Sequence, residues 1–199
     1  MNIGIIGLGV VGSAVKNGLE KIGHTVRFFD IQYPESSLKD VFDTEICFIT
    51  LPTPSREDGA CDTSIVEQTL RDLQANGYRG VVVIKSTVIP GTTDRFSTQF
   101  RLRLAFCPEF LRERAAFTDF AENHDVCVIG AYDVETFTLI KDAHGSLPKN
   151  VFHLTPRDAE FTKYFSNLFN AMRITFANEF YDVCKMMGAD YAKIKNAMV

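Results

Sequence analysis

Short runs of β-branched and aromatic residues recur along the chain at 3–6, 26–29, 46–51, 81–84, 104–106 and 126–129. Helical or loop segments separate them. Strand alternating with helix predicts an α/β fold with a doubly wound parallel sheet and helices on both faces. Such a sheet binds ligands at the carboxyl ends of its strands. The pattern changes at Thr155. Thr155-Pro156-Arg157-Asp158 reads as a helix start, with a capping hydroxyl, proline at the first helical position and an acid three residues on. The helix is expected to run to about Met187, with Gly188 as its stop. Phe161, Phe165, Leu168, Met172, Phe176, Val183 and Met187 form one apolar stripe on it, the mark of a core or a dimer interface. The expected organisation is therefore a sheet domain over 1–154 and the start of a central helical domain over 155–199.

Composition narrows this picture. The chain has 199 residues, 46% hydrophobic and 23% charged, enough for one globular domain plus part of a second. The net charge is −4 and the basic residues are scattered, so nucleic acid is not an expected partner. No apolar run approaches membrane-spanning length. The chain enters a strand at once with no signal-peptide pattern, which sets a cytoplasmic expectation. Cys47, Cys61, Cys107, Cys127 and Cys184 lack paired spacing and read as free thiols. No set of cysteines and histidines has the sequence spacing of a zinc site, and no metal is expected.

The first thirty residues carry the clearest chemistry. Gly7-Leu8-Gly9-Val10-Val11-Gly12 follows a strand and opens a helix, and Asp30 ends the second strand 18 residues after Gly12. Gly7 permits a tight turn, Gly9 lets backbone approach a pyrophosphate, and Gly12 lets helix pack on strand. A carboxylate at Asp30 takes both ribose hydroxyls and repels a 2′-phosphate, which favours NAD over NADP. Three further segments hold candidate chemistry. Lys163 and Asn167 are four apart on the long helix, away from the stripe, and together suit a developing alkoxide or a solvated face. Glu109 and Glu113 share a face if 108–113 is a helical turn, as an acid–base pair or as dipole partners. Ser86 and Thr87 end a buried strand, where hydroxyls touch a nicotinamide or ribose or cap the next helix.

Together these segments resemble the UDP-glucose/GDP-mannose dehydrogenase family of nucleotide-sugar 6-dehydrogenases, over nearly the whole chain. The resemblance rests on Gly7 to Gly12, Leu51-Pro52-Thr53-Pro54 with Asp58-Gly59, Lys85-Ser86-Thr87-Val88, Pro108-Glu109-Phe110-Leu111-Arg112-Glu113, and Lys163 and Asn167 with Phe176-Ala177-Asn178-Glu179. It implies a Rossmann-type domain and a four-electron oxidation of a sugar C6 alcohol to a carboxylate. Two NAD molecules act in turn, and a cysteine carries the thiohemiacetal and thioester that water cleaves. By the same resemblance Lys163 and Asn167 stabilise the oxyanion, Thr87 positions catalytic water, and Glu109 is the acid–base residue. Glu113 meets the nicotinamide end, and Thr53 and Pro54 meet the adenosine side or a ribose. Residues 109–113, that is Glu109, Phe110, Leu111, Arg112 and Glu113, border the nucleotide sugar, UDP-glucose or a relative. A homodimer through the long helix is expected.

The chain also departs from the family. The family's nucleophile lies in a Gly-Gly-x-Cys-Phe-Pro-Lys-Asp segment beyond the long helix, and none of the five cysteines here has that context. Cys107 precedes Pro108 where asparagine or serine is common, and Arg114 stands where many members have glycine. The expectation is a chain that binds NAD and by itself turns over UDP-glucose negligibly, whether truncated or naturally short. Two other readings stand beside it: a two-electron dehydrogenase of the 3-hydroxyacid type, and a non-catalytic NAD-binding module.

Overall fold

Asn2–Ile6 forms β1, and glycines at 7 and 9 free the chain to turn into helix α1, Val10–Lys21. The computed structural model describes residues 1–198. Among them, seven strands form one sheet: β1, β2 (Thr25–Phe29), β3 (Ile46–Ile49), β4 (Val81–Ile84), β5 (Arg103–Phe106), β6 (Val126–Gly130) and β7 (Asn150–Leu154), in the order 2-1-3-4-5-6-7. β3 and β4 are buried at every position, as strands covered on both faces must be. One apolar layer packs Ala14, Val15 and Leu19 of α1 with Phe120 of α4 (Ala116–Ala121) and Ile140 of α5 (Val134–His144) on Ile3, Ile5 and Phe48. The other packs Val66, Leu70 and Leu73 of α2 (Ser64–Ala75) with Phe96 of α3 (Thr92–Gln99) on Cys47, Ile49 and Val82. This is the doubly wound arrangement, and the order reverses between β1 and β3, where a crevice opens.

The sheet is not wholly parallel. β1 to β5 run one way, but β6 meets β5 antiparallel, at Phe106↔Gly130, and β7 is parallel to β6. The link between β5 and β6 begins with residues 107–112, outside helix and strand, and then holds only a 3₁₀ turn and the six-residue α4, so no full-length crossover helix returns the chain for another parallel strand. β7 has no counterpart in the sequence reading. It is a largely exposed edge strand, Asn-Val-Phe-His-Leu, whose polar Asn150 and His153 leave only a short apolar run. β3 stops at Ile49, two residues before the end of its apolar run.

Leu154 pairs with Gly130, which pairs with Phe106, so the next helix starts beside the carboxyl end of β5. That helix, α6, spans Pro156–Met186. The Asp158 N–H donates to Thr155 Oγ1 (3.2 Å) and Thr155 Oγ1 donates to Asp158 Oδ2 (2.7 Å), the cap the sequence predicts. Glu160, fully buried, accepts from the Gly91 N–H, the Thr93 N–H (2.8 Å) and the Thr93 hydroxyl (2.6 Å), capping α3 from outside.

The chain divides into two compact units, Met1–Lys163 and a second beginning at Tyr164. The second holds the rest of α6 and a short α7, Tyr191–Met198, which the sequence reading did not contain. The apolar stripe is exposed, from 51% at Val183 to 79% at Met187, so it is not a core of this chain. No helix among the described residues is long and apolar enough to cross a membrane.

Candidate functional site

The first unit carries a cleft of about 670 Å³ along the carboxyl ends of β1 to β5. The glycine turn forms one wall. Gly7 has φ +96°, and a Cβ there would stand 2.8 Å from the Thr50 carbonyl oxygen. At Gly12 a Cβ would stand 2.0 Å from the Gly7 carbonyl oxygen, so only glycine lets α1 approach the turn. At Gly9 a Cβ would meet nothing within 4 Å. That open space lies at the N-terminus of α1, which has no side-chain cap and no acid in its first turn. Amide donors and dipole therefore face the cleft, as an anionic pyrophosphate requires. Asp30 stands across from them. Its Oδ2 accepts from the Leu8 N–H (2.6 Å) and its Oδ1 from the Gln32 N–H (2.8 Å), which fixes the carboxylate while leaving acceptor capacity for ribose hydroxyls. These residues fit NAD.

The ends of β3 and β4 form the next wall. Ser86 Oγ donates to the Leu51 carbonyl (2.7 Å) and Thr53 Oγ1 to the Thr87 carbonyl (2.6 Å). Both hydroxyls thus lace the two loops together and can offer a ligand only their lone pairs. Thr87 is half-buried and lines the cleft with Leu51, Pro52 and Thr53.

The floor holds the charged groups. Residues 107–112 are neither helix nor strand, and a 3₁₀ turn begins only at Glu113. The helical face expected for Glu109 and Glu113 therefore does not exist: the Glu109 carboxylate turns to Lys85, and Glu113 starts the 3₁₀ turn. Glu109 is buried and Glu113 exposed, yet both line the cleft. The Glu109 carboxylate pairs with Lys85, whose Nζ also donates to the Cys107 carbonyl (3.1 Å) and Sγ (3.4 Å). Lys163 donates to the Glu109 carbonyl and sits 5.4 Å from the Phe110 ring centroid. Burial raises the Glu109 pKa, and Lys85 only partly offsets it. Burial lowers the Lys163 pKa, and Glu109 only partly restores it. At Lys85 burial opposes the ammonium, but Cys107 and Glu109 outweigh it and hold the proton firmly. A carboxyl raised and an amine lowered in one cleft mark these two groups as candidates for proton handling.

Gly7, Gly9, Val10, Val11, Asp30, Leu51, Pro52, Thr53, Ser86, Thr87, Glu109, Leu111, Glu113 and Lys163 line the cleft. Leu8, Gly12, Pro54, Phe110 and Arg112 do not. Leu8 and Gly12 support the turn from behind, and the Arg112 guanidinium is taken up by Asp119 (2.6 and 2.9 Å). Asn167 belongs to the second unit. Lys85 is the residue whose part the sequence reading missed. Its signal was a cation ending an otherwise wholly apolar strand. Ile65 and Thr69 of α2 also line the cleft, unmarked by any motif.

Residues 33–147 match the NAD-binding domain of the UDP-glucose/GDP-mannose dehydrogenase family, and residues 157–199 match its central domain. The chain belongs to this family. The GDP-mannose 6-dehydrogenase of Pseudomonas aeruginosa is 26% identical over 246 residues, covering 100% of this chain and 56% of that protein. UDP-glucose 6-dehydrogenase AglM of Haloferax volcanii is 30% identical, covering 98% of this chain and 57% of the relative. Among solved structures, a UDP-glucose dehydrogenase from Pyrobaculum islandicum superposes with a TM-score of 0.90 at 30% identity, over 99% of this chain and 56% of that one. The chain thus spans little more than half the length of these relatives and carries the family's NAD-binding domain.

Proposed function

We propose that this chain is the cofactor-binding and proton-handling part of a nucleotide-sugar 6-dehydrogenase. The observation that carries the reading is that the glycine turn, Asp30, Thr87, Glu109 and Lys163 share one cleft. The reaction takes a sugar C6 alcohol, water and two NAD to a carboxylate and two NADH, with release of protons. NAD supplies the hydride acceptor. Asp30 holds a ribose, and the α1 N-terminus holds the pyrophosphate. Glu113 and Ser86 border the nicotinamide end, and Thr53 and Pro54 the adenosine side or a ribose. Lys163 stabilises developing negative charge on the substrate oxygen. Glu109 exchanges protons with water positioned by Thr87. Phe110, Leu111 and Arg112 border the sugar nucleotide. A second copy of the chain covers the phenylalanine stripe, and the five free thiols fit a reducing cytoplasm.

Calorimetry on the purified chain tests this. NAD should bind, and NADP should bind at least roughly tenfold more weakly, a difference of about 1.4 kcal/mol. Asp30→Asn should narrow that gap. A folded chain that ignores NAD overturns the proposal. No cysteine lines the cleft, so these residues alone should make negligible NADH from UDP-glucose; robust production would refute that expectation.

A further inference from the structure

Behind the cleft floor lies a cluster that the proposed reaction does not use. We infer that Cys107, Cys127 and His144 form a buried zinc-binding site, with three protein ligands and a fourth position left to water. The two sulfurs are 3.8 Å apart, and Cys107 Sγ is 4.0 Å from His144 Nε2. All three ligand atoms lie within 4.8 Å of one another. Tetrahedral zinc with bonds of about 2.3 Å to sulfur and 2.0 Å to nitrogen needs separations of about 3.8 and 3.5 Å. The two sulfurs therefore already stand at a zinc-shell separation, Cys107 Sγ and His144 Nε2 within about half an ångström of one, and a small rotation of the imidazole would close the set.

The surroundings are prepared for a cation as well. His144 Nδ1 lies 2.8 Å from the Ile140 carbonyl, which can only accept. Nδ1 therefore carries the hydrogen, and in the neutral ring Nε2 turns its lone pair toward the sulfurs, the orientation a metal-bound imidazole takes. The Lys85 ammonium donates to Cys107 Sγ, which steadies a thiolate there. Charges also close: two thiolates balance one divalent zinc, and Lys85 and Glu109 balance each other. A monovalent copper ion would leave a net negative charge in a pocket where all three ligands are at least 99% buried. The ligands come from the end of β5, from β6 and from the last turn of α5, so no spacing in the sequence betrays them.

Cobalt serves as the probe. The reduced protein, purified without chelator, should take up one cobalt ion per chain, with thiolate charge-transfer absorption and the visible bands of a tetrahedral ion. Zinc should bleach both. Cys127→Ser and His144→Gln should weaken cobalt binding at least tenfold, while Cys61→Ser should leave it unchanged. Circular dichroism and NAD binding report whether each variant is folded. The wild-type spectrum decides the matter even if a ligand variant fails to fold. A folded wild type that shows no cobalt bands overturns the inference. So does a Cys107–Cys127 disulfide in metal-free protein, or full cobalt binding by Cys107→Ser.

Discussion

Among single residues, His124 shows most directly how burial becomes a solution property. Its Nδ1 is buried with no hydrogen-bond partner, and its ring lies against Phe120. Burial, helped by the nearby His144 and Lys85, pushes its pKa down to about 4. The ring is thus neutral in the fold at pH 7, while the unfolded chain protonates it below about 6.5. Between those values the unfolded state binds more protons, so stability falls as pH drops from about 6.5 to 4. The expected loss is about 2–3 kcal/mol. Thermal melts across that window should show His124→Gln with a flatter profile than wild type; an unchanged slope refutes it. The site was only half legible at this scale. Glycines and Asp30 speak through fixed spacing because the cofactor's own geometry dictates it. Lys85 and Glu109 lie just beyond the carboxyl ends of adjacent strands, 24 positions apart, and nothing local records their pairing.

Individual elements owe their placement to the reversed strands β6 and β7. These deliver the start of α6 to the carboxyl edge, where Glu160 caps α3 and Lys163 reaches Glu109. Glu160→Ala leaves the Gly91 and Thr93 N–H groups without their acceptor, at a cost of about 2 kcal/mol. That should lower the melting temperature by about 4–8 °C, measured by calorimetry. A smaller change than 1 °C would mean that water replaces the carboxylate. The α6 cap and the buried strands β1, β3 and β4 were readable because hydroxyl, proline and unbroken apolar runs are local signals. The antiparallel step and β7 were not. Strand direction depends on where the connection folds back, which no local run records, and Asn150 and His153 break up the apolar run of β7.

For the whole molecule, the exposed stripe on α6 is the outstanding surface. Phe165, Leu168, Met172 and Phe176 are each 61–73% exposed. Monomeric proteins seldom leave so large an apolar surface in water. Light scattering on the purified chain at micromolar concentration should report a dimer, and Phe165→Glu with Leu168→Glu should shift it to monomer with NAD affinity intact. A monomeric wild type would refute the self-association. The division at Lys163 has a practical corollary. Every residue lining the cleft lies in the first unit, which also owns the two apolar layers around the sheet. The cofactor pocket should therefore be portable: joined to an unrelated scaffold, the first 163 residues are expected to fold and bind NAD as a transplantable cartridge.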